Sequence, residues 1–334
     1  MKKELKNSCI FLFVPSFFDY YKAIISELKK MNVKQIDVVL ENFVEKSLLY
    51  RFFVSKSEMA KKLYTQRYYK KRINELWHSY DYILVIRGEA ISSNTLQLLK
   101  KKNPNAKFIM YQWDSVRNNP NCLKIQQSFD YIYTFDPEDA KKYNWRYRPL
   151  FFTKKERDDT KAIKDIDFSM VGTLYYKRAM LFNKIREYCN AHQLFFLHHI
   201  YCPKFVFLLH KYVLRDKKYA CITKDDVKFY PMDMQSLNEI YERSKILVDY
   251  TADDQTGLTM RTIECLGHRC KLITNNKNII QEDIYKYGNI YVYDINNFNI
   301  PNDFIESNYM DLPEQLNNYY SLSGWIESIF ADVL

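Results

Sequence analysis

The sequence predicts an α/β protein made of two Rossmann-like halves in succession. Three observations carry this expectation. Apolar runs of strand length alternate with amphipathic helical stretches along the chain. The runs are almost unbroken in apolar residues, as expected for a parallel sheet covered on both faces. The rhythm is interrupted by the polar stretch FTKKERDDTKAIK, Phe152 to Lys164, and then restarts.

In the first half, CIFLFV (Cys9 to Val14) is the opening strand. A helix near Phe17 to Met31, the strand IDVVLE (Ile36 to Glu41) and a long helical pattern through Tyr80 come next, then the strands in YDYILVIRG, KFIMYQWD and DYIYTFD. In the second half, DFSMVG (Asp167 to Gly172) leads to a helix ending near His192, the strand LFFLHHI and a further helical stretch. The strand KILVDY, a short helix and the strands KLITNN and IYVYD complete it. The expected domains are 1–152 and 165–312, joined by a linker at 153–164, with 313–334 packing back on the first domain. Open α/β sheets bind ligands beyond the carboxyl ends of their strands, and two in succession place a cleft between those ends.

Composition bounds the partners. A chain of 334 residues that is 47% hydrophobic can build two cores. Fifty Lys and Arg against 40 Asp and Glu give a formal charge of +10, which favours nucleotides, nucleic acid or acidic lipid. The run KKLYTQRYYKKR, Lys61 to Arg72, interleaves tyrosines with cations and suits base stacking, a bilayer interface or a solvated helix face. No nucleic-acid motif accompanies the charge, so no nucleic-acid partner is expected. The seven cysteines show no CxxC pair, which suits reduced thiols in a cytoplasmic protein. The opening MKKELKNSCIFLFVPSFF has a short apolar part broken by Pro15, unlike a signal peptide. No run reaches the roughly 18 to 20 apolar residues of a spanning helix. The expected location is cytoplasmic, with the basic balance allowing peripheral contact with an acidic membrane. The segment CPKFVFLLHKYVLRDKK, Cys202 to Lys218, combines an apolar face with a basic end and suits either a membrane-facing helix or a packed one.

The stretch QTGLTMRTIECLGHRCKLITNN, Gln255 to Asn276, carries the most chemistry. Thr256 fits an N-cap and Gly267 the left-handed position after a helix of about ten residues. At helical spacing Leu258, Thr262, Ile263 and Leu266 share a packing side, while Gly257, Arg261 and Glu264 share a side able to serve a ligand. A diphosphate over Gly257, Leu258 and Thr259 would meet unpaired N–H groups, with Arg261 as a charge-assisted clamp and Glu264 accepting from ribose hydroxyls. The plainer alternative is an exposed Arg261–Glu264 ion pair.

The longer string DYTADDQTGLTMRTIECLGHRCKLITNN resembles the nucleotide-sugar site of GT-B glycosyltransferases, in particular bacterial capsule, exopolysaccharide and lipopolysaccharide biosynthesis enzymes. RGE (Arg87 to Glu89), YQWDS (Tyr111 to Ser115), FDPEDAKKY (Phe135 to Tyr143) and MVGTLYYKR (Met170 to Arg178) extend the resemblance over both halves. It implies that Glu264 holds the ribose and the Gly257–Thr259 turn the phosphates. Gly172 and Thr173 then form the opposite wall, with Arg178 and Thr256 also at the donor. It further implies a nucleotide sugar as substrate, a surface-polysaccharide or lipid-linked saccharide as acceptor, and no cofactor or bound metal.

The chain departs from the retaining E-x7-E pattern, because Thr256 stands eight positions before Glu264. An inverting transfer needs a base from the first half instead. Asp19, Glu89 and Asp114 lie at or near strand ends; Glu89 and Asp114 are the expected catalytic acids, and Asp19 is placed on the first helix. The plainer roles are a turn carboxylate for Asp114 and a salt bridge to Arg87 or Lys100 for Glu89. DID at Asp165 to Asp167 imitates a metal-binding DxD but directly precedes a strand. His198 and His199 are adjacent in a strand and face opposite ways. No GxGxxG fingerprint marks a dinucleotide cofactor. Rival readings on the same scaffold are a nucleotide-sugar epimerase or hydrolase and a catalytically silent glycan-binding protein.

Overall fold

The computed structural model describes residues 5–16, 19–41, 58–76, 79–153, 163–174, 176–216, 219–252 and 255–333. The body of the expected linker, 154–162, lies outside the described residues, as do 17–18 and 253–254. The chain divides into two compact units, Met1–Pro149 with Leu322–Leu334, and Leu150–Ser321.

The first unit holds a parallel sheet of six strands: β1 (Cys9–Val14), β2 (Gln35–Leu40), β3 (Tyr82–Ile86), β4 (Lys107–Gln112), β5 (Tyr131–Thr134) and β6 (Arg146–Tyr147). Their order is β2-β1-β3-β4-β5-β6. β1 is buried along nearly its whole length, as is β3 after Tyr82, and this explains the unbroken apolar runs: both faces of these central strands are covered. Order reverses between β1 and β3, a switch point where connections leave in opposite directions and open a crevice at the carboxyl ends. The chain's last helix, Leu322–Phe330, belongs to this unit. Trp325 meets Tyr111 edge-on at 4.7 Å between ring centroids, and Phe330 meets Tyr82 at 5.3 Å. Tyr133 donates to Asp332 at 2.6 Å.

The second unit repeats the plan with β7 (Ile166–Thr173), β8 (Phe196–Tyr201), β9 (Val227–Lys228), β10 (Ser244–Val248), β11 (Lys271–Thr274) and β12 (Ile290–Val292), all parallel in the order β12-β11-β10-β7-β8-β9. Read from the other edge this is the 3-2-1-4-5-6 order of dinucleotide-binding sheets, with its switch point between β7 and β10. Phe168, Met170, Phe182, Ile185, Ile246, Val248 and Ile273 form the heart of its core. The two-residue edge strands β6 and β9 are too short to show a pattern in sequence.

Several local expectations change. Asp19 is not within the first helix; it precedes Tyr20–Lys30 as a left-handed N-cap (φ 56°) and pairs with Lys22 at 2.8 Å. The run Lys61–Arg72 lies in the helix Glu58–Glu75, whose Tyr69 and Ile73 are buried while Arg67, Lys70, Lys71 and Arg72 are exposed. Tyr69 donates to the Glu41 carbonyl, so it belongs to the core. All seven cysteines are free thiols. Among the described residues, no helix is long and apolar enough to cross a membrane.

Candidate functional site

In the second unit the site grows from the carboxyl ends of β7 and β10. The helix following β10 runs Met260–Gly267, and its N-cap is Thr259, whose hydroxyl accepts from the Thr262 N–H at 3.1 Å. Thr256 therefore does not cap it. Thr256 lies in the preceding loop, where its carbonyl accepts from Asn278 Nδ2 at 3.1 Å and the Gly257 carbonyl accepts from Asn276 Nδ2 at 3.2 Å. These two asparagines, just after β11, hold the loop in shape. Leu258 is buried beneath it. Gly267 is the last helical residue and not the left-handed one; Arg269 takes that conformation (φ 50°). Glycine is required at 267 for space, because a Cβ there would stand 2.7 Å from the Phe152 ring.

Arg261 does not pair with Glu264 across an exposed stripe. Its guanidinium bonds the fully buried carboxylate of Asp249, the residue after β10. Asp249 also accepts from Thr251 at 3.0 Å and Thr274 at 3.2 Å, which completes its hydrogen bonding in a dry setting. Glu264 is 3% exposed, accepts from Thr153 at 3.4 Å and lies 3.9 Å from His268. The packing face of the helix thus extends round to Glu264.

Arg178 projects from the helix Tyr176–Ala191 back to the end of β7. It donates to the Thr173 carbonyl at 2.7 Å and the Tyr250 carbonyl at 3.3 Å. A Cβ on Gly172 would stand 2.9 Å from this guanidinium, so Gly172 is what lets Arg178 cross the strand end. Arg178 and Arg261 consequently grip consecutive residues, Tyr250 and Asp249, at the switch point. Sequence separates them by 83 positions, 178 to 261, and the fold joins them.

In the first unit the carboxyl ends of β2, β3 and β4 gather Glu41, Arg87, Glu89 and Asp114. Arg87 Nε forms an ion pair with Asp114 at 3.0 Å, and the same guanidinium pairs with Glu89. Both expected bases therefore share one cation. Arg87 and Gly88 are successive left-handed residues, φ 70° and 67°. The Arg87 carbonyl accepts from Gln112 at 2.7 Å and Asn119 at 2.6 Å, and the Gly88 carbonyl from Asn121 at 2.9 Å, so three side-chain amides hold the turn. Burial pushes the Asp114 carboxyl above its ordinary range; Arg87 opposes this and Glu89 adds to it.

Glu41 was not singled out from sequence. It ends the apolar run VVLE, the same position at a strand's carboxyl end that drew attention to Glu89 and Asp114. It is 3% exposed, and Oε1 accepts from the Ala90 N–H at 3.0 Å, fastening the turn that carries Glu89. Burial pushes its pKa up to about 7.

Remaining candidates resolve plainly. Asp165 pairs with Arg243 at 2.8 Å and Asp167 with Lys245 at 2.7 Å, so each acid of DID has its own cation. His199 bonds the Tyr230 carbonyl at 3.0 Å, while His198 packs edge-on to Phe182 at 4.8 Å. Cys265 and Cys270 are buried, and burial raises both thiols. Among the described residues no cluster of three or more His, Cys, Asp or Glu is placed to hold a metal.

Several solved structures share this fold. A trehalose-phosphate synthase (UDP-forming) from Burkholderia xenovorans matches over 97% of this chain and 99% of its own, at 11% identity and a TM-score of 0.60. The lipopolysaccharide outer core galactosyltransferase WaaB matches over 97% and 99%, at 14% identity and TM-score 0.53. A Listeria monocytogenes protein assigned as a UDP-N-acetylglucosamine 2-epimerase matches over 98% and 96%, at 9% identity and TM-score 0.53. The fold is that of the GT-B glycosyltransferases. At these identities the likeness is one of fold. No protein-family model matches the chain, and no curated protein matches it by sequence.

Proposed function

We propose that the chain is a glycosyltransferase that moves a sugar from a UDP-sugar to a surface-polysaccharide or lipid-linked saccharide, without a bound metal and with inversion. The observation that carries the reading is the pair of arginines, Arg178 and Arg261, gathered on Tyr250 and Asp249 at the switch point of a nucleotide-type sheet. The supporting comparisons are the UDP-forming synthase and the outer-core galactosyltransferase, both of this fold.

In this reading the diphosphate lies over the Gly257–Thr259 turn, next to the Thr259-capped helix terminus and Arg178, and Arg261 is held in place by Asp249. Asp114 in the first unit takes the proton of the acceptor hydroxyl. The oxygen attacks the anomeric carbon, the bond to the diphosphate oxygen breaks, and the new negative charge on UDP is met by backbone N–H groups and arginine. Asp114 is favoured over Glu89 because burial raises its proton affinity, the property a base needs. The enzyme then works at the inner face of the cell membrane, where lipid-linked acceptors are assembled.

The epimerase reading rests on the fold shared with the Listeria protein. Calorimetry with UDP, GDP and CDP tests the donor. UDP should bind, and Arg178→Ala should weaken it by about ten- to 100-fold, the loss of a charge-assisted bond. If no nucleoside diphosphate binds, the proposal fails. Release of an epimerised UDP-sugar in the absence of acceptor would favour the rival.

A further inference from the structure

The stretch after β8 exposes an unusual amount of apolar surface. A helix, Lys204–Leu208, continues into a π-helical turn, Leu209–Val213. Phe207 is fully buried and meets Tyr219 and Phe229 at 6.2 and 5.9 Å between ring centroids, anchoring the segment in the core of the second unit. Lys211 turns inward and donates to the carbonyls of Tyr219 and Ala220, at 3.0 and 3.2 Å, and of Ile222, tying the following loop back. The outer side is left with Phe205 at 75% exposure, Tyr212 at 51%, Val213 at 71% and Leu214 at 58%. Singly exposed apolar residues are ordinary, but four large ones within ten positions on an anchored element form a patch.

Cations outnumber acids around this patch. Lys204 and Arg215 are exposed beside it, and Lys224 lies with Nζ 5.7 Å from the Tyr212 ring centroid. The single acid between Cys202 and Lys218, Asp216, is engaged by His210 at 3.4 Å, against five Lys and Arg in the same stretch. Asp225, next to Lys224, is the exposed acid nearest in sequence. Apolar tips ringed by cations match an acidic bilayer, where aromatic and aliphatic groups enter the headgroup–acyl boundary and cations meet anionic lipid.

We propose that Phe205, Tyr212, Val213 and Leu214, rimmed by Lys204, Arg215 and Lys224, dock the second unit onto an anionic lipid bilayer. The docking surface rests on these residues alone; the proposed lipid-linked acceptor only gives it a use. The test is sedimentation of the full chain with phosphatidylcholine vesicles, with and without phosphatidylglycerol. The chain should bind only the acidic vesicles, and added salt should weaken the binding. Phe205→Ser with Val213→Ser should lower the partition coefficient by about tenfold or more. Lys204→Glu with Arg215→Glu should do the same. Lys70→Glu with Lys71→Glu, on the solvated helix of the first unit, should leave it unchanged. These positions are exposed, and thermal unfolding of each variant reports its fold independently of UDP. Retained UDP affinity in vesicle-blind variants separates docking from the donor site. The proposal is overturned if the chain ignores acidic vesicles, if only the Lys70 and Lys71 variant loses binding, or if the apolar variants instead dissolve a dimer.

Discussion

Glu41 makes a prediction whose sign runs against the usual acid behaviour. Its carboxyl is buried beside the turn that carries Arg87 and Glu89, with Ala90 N–H on one oxygen, and its pKa rises from 4.5 to about 7. The folded protein thus holds a proton that the unfolded chain has already released between those two values. The contribution of Glu41 to stability is full below about pH 4.5 and is lost as pH rises through about 7. A rise of that size corresponds to about 3 kcal/mol, a substantial part of a domain's roughly 5–15 kcal/mol. Glu41→Gln is neutral throughout and can keep the Ala90 bond through its amide oxygen. Urea unfolding of both proteins across this range should show the variant drawing level at acid pH and exceeding the parent by about 2–3 kcal/mol near pH 8. Parallel stability curves would refute the reasoning, and so would a parent that becomes more stable as pH rises while the variant does not.

Three further outcomes follow from the two crevices. Asp114→Asn should lower turnover about 100-fold or more while leaving UDP affinity nearly unchanged, and Glu89→Gln should have the smaller effect; normal turnover in both removes the base assignment. Arg261→Ala leaves the Asp249 carboxylate buried without its cation and should destabilise the fold by about 3–5 kcal/mol, whereas Arg261→Ala with Asp249→Asn should recover much of this in thermal unfolding. Transfer should persist in EDTA with an inverted anomeric centre by NMR; activity restored only by manganese or magnesium, or a retained configuration, would contradict the mechanism.

The alternation of strands and helices was readable because buried parallel strands are apolar on both faces, and CIFLFV or YILVI admit little else. The details that failed are those set by long-range contacts. Gly267 looked like a helix stop because glycine favours left-handed backbone, yet its role is set by the ring of Phe152, 115 positions earlier. The helical stripe of Arg261 and Glu264 predicts a side able to serve a ligand, but Asp249, just after β10, and Thr153 meet those residues from outside the helix. Periodicity reports which residues share a side and not what covers it. Glu41 escaped notice for the complementary reason: an acid ending a strand reads as a polar boundary until the turn at Ala90 is seen closing over it.

The distribution of charge at the two switch points bears on which unit does what. In the first, one arginine faces two carboxylates, Glu89 and Asp114, with Glu41 behind them able to hold or lose a proton near neutrality. Acids outnumber the cation there, so the crevice favours accepting protons and disfavours a diphosphate. In the second, Arg178 and Arg261 converge on the carboxylate of Asp249 and the carbonyl of Tyr250, next to a capped helix terminus that adds partial positive charge. Positive charge predominates there, and a diphosphate would gain from both arginines. Two sheets of nearly the same topology are thus biased towards opposite chemistry by a handful of residues at strand ends. Reversing that bias tests the division of labour: Arg178→Glu should abolish UDP binding in calorimetry, while Arg87→Gln should leave it intact and alter only the pH profile of transfer. If Arg87→Gln abolished UDP binding and Arg178→Glu left it intact, the donor would belong to the first unit and the assignment would be inverted.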